Sequence, residues 1–421
     1  MHRARTHLPI ICIILWVSLA IPVSGQDKLK RVEEESRRSV QSFAWIPYTF
    51  YTDSFELALG AGAASYGYGQ PQLSLVGTAF ATTNNSWGVL GHAGNLRLRP
   101  LDRLFMDSMA GYIRYENKMS YVPGNPEFPD EPAGSNDSTK ENFIETPARS
   151  GFGELRLRYL LPIGFARDTI INTFVIEDGL LVAGTTGGWA WNPMTSGRTY
   201  IELDFFYEEQ ELATDAGNQI YNTNGLRFQL EYNNTDFSVN PSHGSRQLVR
   251  LARDFGSGNS SGSWTTGEID LAKYIDLGSS QRFRQRVLAL GLWTSTAFSG
   301  SPPFYKGPRL GGIYRLRGYR QNRFHDQSAI YYSVELRVIP DWALLRYVDH
   351  LGPFQFSWWQ FVTFAEVGRV SPVYSLSELH RDMKWNVGVG LRTLVKSILL
   401  RADLAFSKEG AYLSAMVGHA F

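Results

Sequence analysis

Over long stretches the chain alternates apolar and polar positions with a period of two. Tyr332, Val334, Leu336 and Val338 alternate with Tyr331, Ser333, Glu335 and Arg337. Trp385, Val387, Val389 and Leu391 alternate with Asn386, Gly388, Gly390 and Arg392. Ile398, Leu400, Ala402, Leu404 and Phe406 alternate with Leu399, Arg401, Asp403 and Ala405. A two-residue period predicts strands with one face of each kind. Sixteen such strands are predicted, at 54–66, 72–83, 87–98, 104–119, 148–162, 172–191, 198–211, 223–236, 245–255, 263–277, 282–297, 328–339, 354–367, 383–395, 397–406 and 411–421. Asn192-Pro193, Asn240-Pro241 with Gly244, and Gly278-Ser279 punctuate them.

The polar faces decide the architecture. A soluble sandwich buries its apolar faces and gives its polar ones to water. A transmembrane barrel turns apolar faces to lipid and polar faces to its lumen. Strands of about ten alternating residues cross a bilayer at a tilt. Aromatics gather near strand ends (Trp45, Tyr48, Phe50 and Tyr51; Trp189 and Trp191; Trp358 and Trp359), as interfacial girdles do. The prediction is an all-β, antiparallel transmembrane β-barrel of 16 strands, with a secreted β-sandwich as the alternative.

Domain limits follow. Residues 1–25 read as a secretory signal peptide: Arg3 and Arg5, then Leu8 to Val23, then the small residues of Val23-Ser24-Gly25. Residues 26–50 read as a short periplasmic segment. Leu29, Val32, Val40 and Phe43 share one helical stripe within 27–43, so a short amphipathic helix is one expectation and a charged tail the other. Residues 51–421 form the barrel. An even strand count puts both barrel ends in the periplasm and long loops outside. The irregular stretch 120–147 then falls on the periplasmic side, against that rule, which points to a miscounted early strand or a real departure.

Composition narrows the chemistry. With 41 Lys+Arg against 40 Asp+Glu, the charge offers no case for nucleic acid. Hydrophobic residues, at 43%, are too few for a bundle of membrane helices. The single cysteine, Cys12, excludes a disulfide scaffold or a Cys-based metal cluster. Gly258-Asn259-Ser260-Ser261-Gly262 matches G-x-S-x-G formally but lies in a Ser/Gly-rich loop rather than on a strand-to-helix elbow. His243 and His325 read as turn and loop residues rather than ligands. The acidic stretch 116–145 has oxygen ligands for calcium but no EF-hand spacing, and reads as solvated. No catalytic residue, metal or cofactor is predicted.

The specific signal lies in the C-terminal third. Residues 309–337 carry Gly311-Gly312, then Arg317-Gly318-Tyr319, then a strand with Glu335-x-Arg337. Phe364-Ala365-Glu366-Val367-Gly368, Gly388-Val389-Gly390-Leu391-Arg392 and Leu400-Arg401-Ala402-Asp403 follow, and Phe421 ends the chain. In this order the motifs resemble those of the BamA/TamA-like outer-membrane assembly barrels, the bacterial surface antigen family. The resemblance covers about 223–421, with Asp236 to Gly244 resembling the mid-barrel turn, and Glu366 stands where the family has Asp.

The resemblance implies that the loop around Arg317 folds back into the lumen and that its guanidinium meets acidic groups on the inner wall. Glu366 shares a strand face with Phe364 and Gly368, and Asp403 with Arg401. Arg317, Gly318, Tyr319, Glu366 and Asp403 are thus the expected lock; otherwise Arg317 merely lines a polar lumen. Glu335, Arg337, Phe364, Gly368, Gly388, Gly390 and Arg392 are the family strand motifs, and Phe421 the terminal assembly signal. The segment between Gly25 and the first strand is too short for a POTRA domain, so the chain resembles the barrel-only branch. The implied function is insertion or translocation of proteins or lipids at the outer membrane, through the lock and a weak seam. A passive channel or structural barrel is the alternative, and an outer-membrane hydrolase a third reading. Expected partners are outer-membrane lipids, unfolded barrel clients or a separate periplasmic partner, and the barrel assembly machinery during the protein's own biogenesis.

Overall fold

A computed structural model of the chain describes residues 31–32, 41–52, 54–188, 190–214, 217–342, 356–395, 398–417 and 419–420. One antiparallel sheet of 16 strands forms the wall. In chain order its strands are β1 (Ser42–Thr52), β2 (Glu56–Tyr66), β3 (Ser74–Thr82), β4 (Trp87–Arg97), β5 (Leu104–Ser120), β6 (Ile144–Leu160), β7 (Arg198–Thr214) and β8 (Gly217–Asn233). Then come β9 (Gly244–Phe255), β10 (Ser263–Asp276), β11 (Phe283–Ser299), β12 (Ser328–Pro340), β13 (Phe356–Ser371), β14 (Lys384–Val395), β15 (Ile398–Ser407) and β16 (Gly410–Val417). Each pairs with the next. Among the described residues β1 and β16 have no backbone pairing with each other. The sheet curls: Gln360 of β13 bonds Asn240, in the β8–β9 turn, at 3.1 Å.

The alternation sorts as expected. Val334, Leu336, Trp385, Val387, Val389 and Phe406 are exposed on the outer face, whereas Glu335, Arg337, Asn386, Arg392, Arg401 and Asp403 are buried inside. No helix among the described residues is long and apolar enough to cross a membrane.

Two corrections sit in the N-terminal half, and they cancel in the strand count. The wall begins at Ser42, before Tyr51, and the predicted helix 27–43 is overturned at its described parts. Phe43 lies on β1, and Arg31–Val32 pairs in parallel with Phe174–Val175. Pro47 obscured β1; an edge strand tolerates the missing N–H. Conversely, 172–191 is not a wall strand. Phe174–Glu177 and Leu180–Ala183 form a small hairpin around Asp178-Gly179, whose positive φ values (47° and 76°) make a tight Asp-Gly turn. The predicted signal peptide, residues 26–30 and 33–40, and Phe421 lie outside the described residues.

Shifting the count by one strand moves the parity conflict from 120–147 to the 161–197 connection. The loop 121–143 now leaves the rim opposite the barrel's first and last strand ends, where long loops belong. The 161–197 connection instead lies on the near rim and departs from the rule of short turns. It leaves β6 and β7 and crosses the mouth. Its Leu180 packs with Ile339, Trp358, Leu394 and Leu399 at the near-rim ends of β12 to β15, beside Val239. Trp358 is therefore no girdle residue: it is buried, and its indole N–H donates to the Gly179 carbonyl at 2.8 Å. Tyr48 and Phe50 are buried as well, while Trp45 is exposed on the outer face, as a girdle residue is. Trp189 lies outside the described residues.

Candidate functional site

The connection between β11 and β12, residues 300–327, enters the lumen. It folds on itself first. Arg309–Leu310 pairs with Phe324–His325, and the Gly311 N–H donates to the Arg315 carbonyl at 2.9 Å. Gly311 and Gly312 have φ of 101° and 107°, which a β-carbon resists, so the paired glycines let the chain reverse there. Leu310, Leu316, Tyr319 and Phe324 form an apolar cluster with Trp293 of β11, Tyr331 of β12 and Val370 of β13. That cluster fixes the loop tip, and the tip presents Arg317.

Arg317 reaches three carboxylates from three strands. Its backbone N–H donates to Glu366 Oε2 at 2.7 Å and its Nε to Glu366 Oε1 at 2.8 Å. Its two terminal nitrogens bond Asp403 at 2.7 Å and Glu335 at 2.8 Å. All four side chains have zero exposure. The guanidinium also lies 3.5 Å above the centre of the Phe364 ring, a cation–π contact. A planar fork with five donors suits such a cage, and Lys could not fill it.

Each carboxylate has further partners. Tyr331 donates to Glu366 at 2.6 Å and Asn386 donates to it at 2.9 Å. Glu335 accepts from Arg392 at 2.9 Å and from Arg337 at 2.8 Å. Arg401 lies 3.3 Å from Asp403 and donates to the Ile313 carbonyl at 2.6 Å. Glu366 thus spans both the backbone N–H and the Nε of Arg317 with its two carboxylate oxygens.

The other predicted residues shape the surroundings. A β-carbon on Gly318 would stand 2.6 Å from Cβ of Asn386 and 3.1 Å from Cβ of Ser407, and Ser407 donates to the Gly318 carbonyl at 2.6 Å. Tyr319 donates to the Trp385 carbonyl at 3.1 Å. The Phe364 ring covers Gly388, and Asp403 crowds Gly390. Leu310 of the loop lies against Gly368. The reading from sequence did not single out Tyr331, Asn386 or Arg401 as partners, nor Glu335 as a direct partner of Arg317. The shared inner-face parity of Tyr331, Glu335 and Asn386 was the available signal.

The loop also crosses to the opposite wall. Lys306 pairs with Glu208 of β7 at 2.8 Å, and Tyr305 donates to the Tyr221 carbonyl of β8 at 2.8 Å. The 121–143 loop lies over it. His325 N–H donates to the Gly134 carbonyl at 2.8 Å, Arg323 donates to Ser138 Oγ at 2.8 Å, and the same Arg323 pairs with Glu409 at 3.0 Å. Within that acidic loop, Glu131 accepts from the N–H and hydroxyl of Thr139. No group of three potential metal ligands occurs among the described residues. Ser260 of the G-x-S-x-G stretch donates to Asp254 at 2.8 Å.

A sequence profile described as the Omp85 superfamily domain matches residues 188–412, more than half of the chain. A comparison with curated proteins finds no match. Among solved structures, BamA from Haemophilus ducreyi lacking POTRA domains 1–3 is similar, with a TM-score of 0.50, 13% identity, and coverage of 90% of this chain and 70% of that one. CdiB from Acinetobacter baumannii has a TM-score of 0.53 and 11% identity, over 90% of this chain and 60% of that one. CdiB from Escherichia coli has a TM-score of 0.54 and 9% identity, over 91% and 63%. This chain thus spans 60% to 70% of the lengths of these structures. At such identities the structures speak for the fold, a barrel of this type. The profile, over the same strands and loop that build the Arg317 cage, speaks for the family: the chain belongs to the Omp85 superfamily and is an integral β-barrel of the outer membrane.

Proposed function

We propose that this barrel assists insertion or translocation of proteins or lipids at the outer membrane, with the Arg317 cage holding the lumen loop and the first and last strands serving as a weak seam. The observation that carries the reading is a lumen loop bonded to buried carboxylates beside a sheet whose first and last strands do not pair among the described residues. Three buried carboxylates fix the loop tip, while β1 and β16 lack mutual pairing among the described residues. A strand edge presents free N–H and C=O groups, and an incoming strand satisfies them by β-augmentation. In this reading the near rim is periplasmic and the 121–143 loop is extracellular.

The test uses liposomes holding the purified barrel, in which the insertion of an unfolded client barrel is timed. Empty liposomes and the Arg317→Ala barrel are the controls. Acceleration by the wild type, lost in Arg317→Ala, is expected. No acceleration over empty liposomes would overturn the reading.

Coverage of both mouths counts against a passive channel. Leu180 reaches the inner ends of β12 to β15 on one side, and Lys306 reaches β7 on the other. Removal of the hairpin Phe174–Ala183 is expected to raise single-channel conductance severalfold over a low wild-type level. Steady conductance in the wild type that the deletion leaves unchanged would favour the channel.

A further inference from the structure

Beyond the last strand the chain turns inward at His419, and its ring bonds two groups far away in sequence. Nδ1 lies 2.8 Å from a terminal nitrogen of Arg392, and Nε2 lies 2.9 Å from the Val239 carbonyl. A guanidinium only donates and a carbonyl only accepts. Nδ1 must therefore accept and Nε2–H must donate, which fits a single neutral tautomer. Arg392 in turn bonds Glu335 through its other terminal nitrogen, at 2.9 Å, and Glu335 bonds Arg317 at 2.8 Å. Four side chains thus run from the end of β16, through β14 and β12, to the loop tip.

We propose that neutral His419 is a positioning residue that hooks the end of the last strand into the lumen and ties it to the Arg317 cage, and that its protonation releases the hook. An imidazolium would turn a second donor toward Arg392 and lose that bond. The charged groups around the ring are Arg337 and Glu335 of β12, Arg392 of β14 and Arg401 of β15. The β8–β9 turn contributes the Val239 carbonyl, while its own titratable pair, Asp236 and His243, stand 4.0 Å from each other. Three of the four charges on the wall are positive. Burial, then Arg337 and Arg392, hold the imidazole well below its ordinary range. The released form binds the proton more readily, so the hook is intact above the ordinary imidazole value of ~6.5 and is lost as pH falls below it, up to about tenfold per pH unit.

The purpose assigned to the hook rests on the seam reading above; its geometry does not. The test places nitroxides at Ala420→Cys and Pro241→Cys in a Cys12→Ser chain and reads their separation in liposomes at about pH 7.5 and about pH 5.5, either side of ~6.5. Wild type is expected to give one short distance at the higher pH and a second, longer population at the lower. His419→Gln, whose amide can accept and donate but not titrate, is expected to stay short at both. His419→Ala is expected to be long at both. A wild-type distance indifferent to pH, a His419→Gln barrel that lengthens like wild type in acid, or a short distance in His419→Ala would each overturn the hook. Should His419→Ala not fold, the wild-type and His419→Gln pair still decides it. Client insertion timed on the same samples separates the two ideas. Distances that respond while insertion does not would leave the hook standing and remove the seam reading.

Discussion

Glu335→Ala is expected to be the most damaging single substitution in the barrel, lowering its stability by about 3–5 kcal/mol, the range for removing one partner of a buried ion pair. Glu335 serves Arg317, Arg337 and Arg392 at once, and its side chain has no exposure to soften the loss. The wild-type cage already sets four guanidiniums (Arg317, Arg337, Arg392 and Arg401) against three carboxylates (Glu335, Glu366 and Asp403). Alanine leaves four against two, all of them buried. Urea denaturation and heat-modifiable gel migration measure the loss. Because the pairs are buried, raising salt should change the result little. Arg392→Met on the Glu335→Ala background should recover part of the stability, since it withdraws a stranded charge. Wild-type stability in Glu335→Ala, or a further loss on adding Arg392→Met, would show that the cage does not hold the fold together.

The second large effect is steric. Gly318→Val should detach the loop tip, because the new side chain would enter space held by Cβ of Asn386, 2.6 Å from an ideal Cβ, and Cβ of Ser407 at 3.1 Å. These atoms sit on β14 and β15, which cannot both retreat without disturbing their ladder. Overpacking of this kind costs about 1–3 kcal/mol. The local result should be larger than the global one, since Asn386 also holds Glu366 and Ser407 also holds the Gly318 carbonyl. Limited proteolysis of loop 300–327 is the sensitive readout, with Gly318→Ala expected between wild type and Gly318→Val. A Gly318→Val loop as protected as the wild type would mean that close packing at this glycine is not what keeps the tip in the lumen.

The sequence carried the wall and much of the cage, but unevenly. Inner and outer faces of β12, β14 and β15 were legible because a two-residue period is local. Strand identity in the N-terminal half was not. Pro47 and the helical spacing of Leu29, Val32, Val40 and Phe43 hid β1, and the apolar run through Leu180 and Val182 imitated a wall strand despite Asp178-Gly179 within it. Sixteen was therefore the right number reached through two offsetting errors, and the stranded loop at 120–147 was the visible sign of them. At the cage, parity placed Glu366 and Asp403 on the inner wall. It could not say that Glu335 also meets Arg317, because that contact depends on where the loop tip comes to rest between strands.

By itself the sequence determined that this chain forms amphipathic strands, which face of each turns to lipid, and which charged residues point into the lumen. Those properties follow from side-chain chemistry at fixed two-residue spacing, and need only neighbours along the chain. The tertiary structure decided the rest: that Arg317 meets three carboxylates at once, that the 161–197 segment spans one mouth, that β1 and β16 remain unjoined among the described residues, and that His419 returns to Arg392. Each of these depends on how a loop closes or a sheet curls, which decides whether residues tens to hundreds of positions apart meet. Periodicity along the chain contains no record of that.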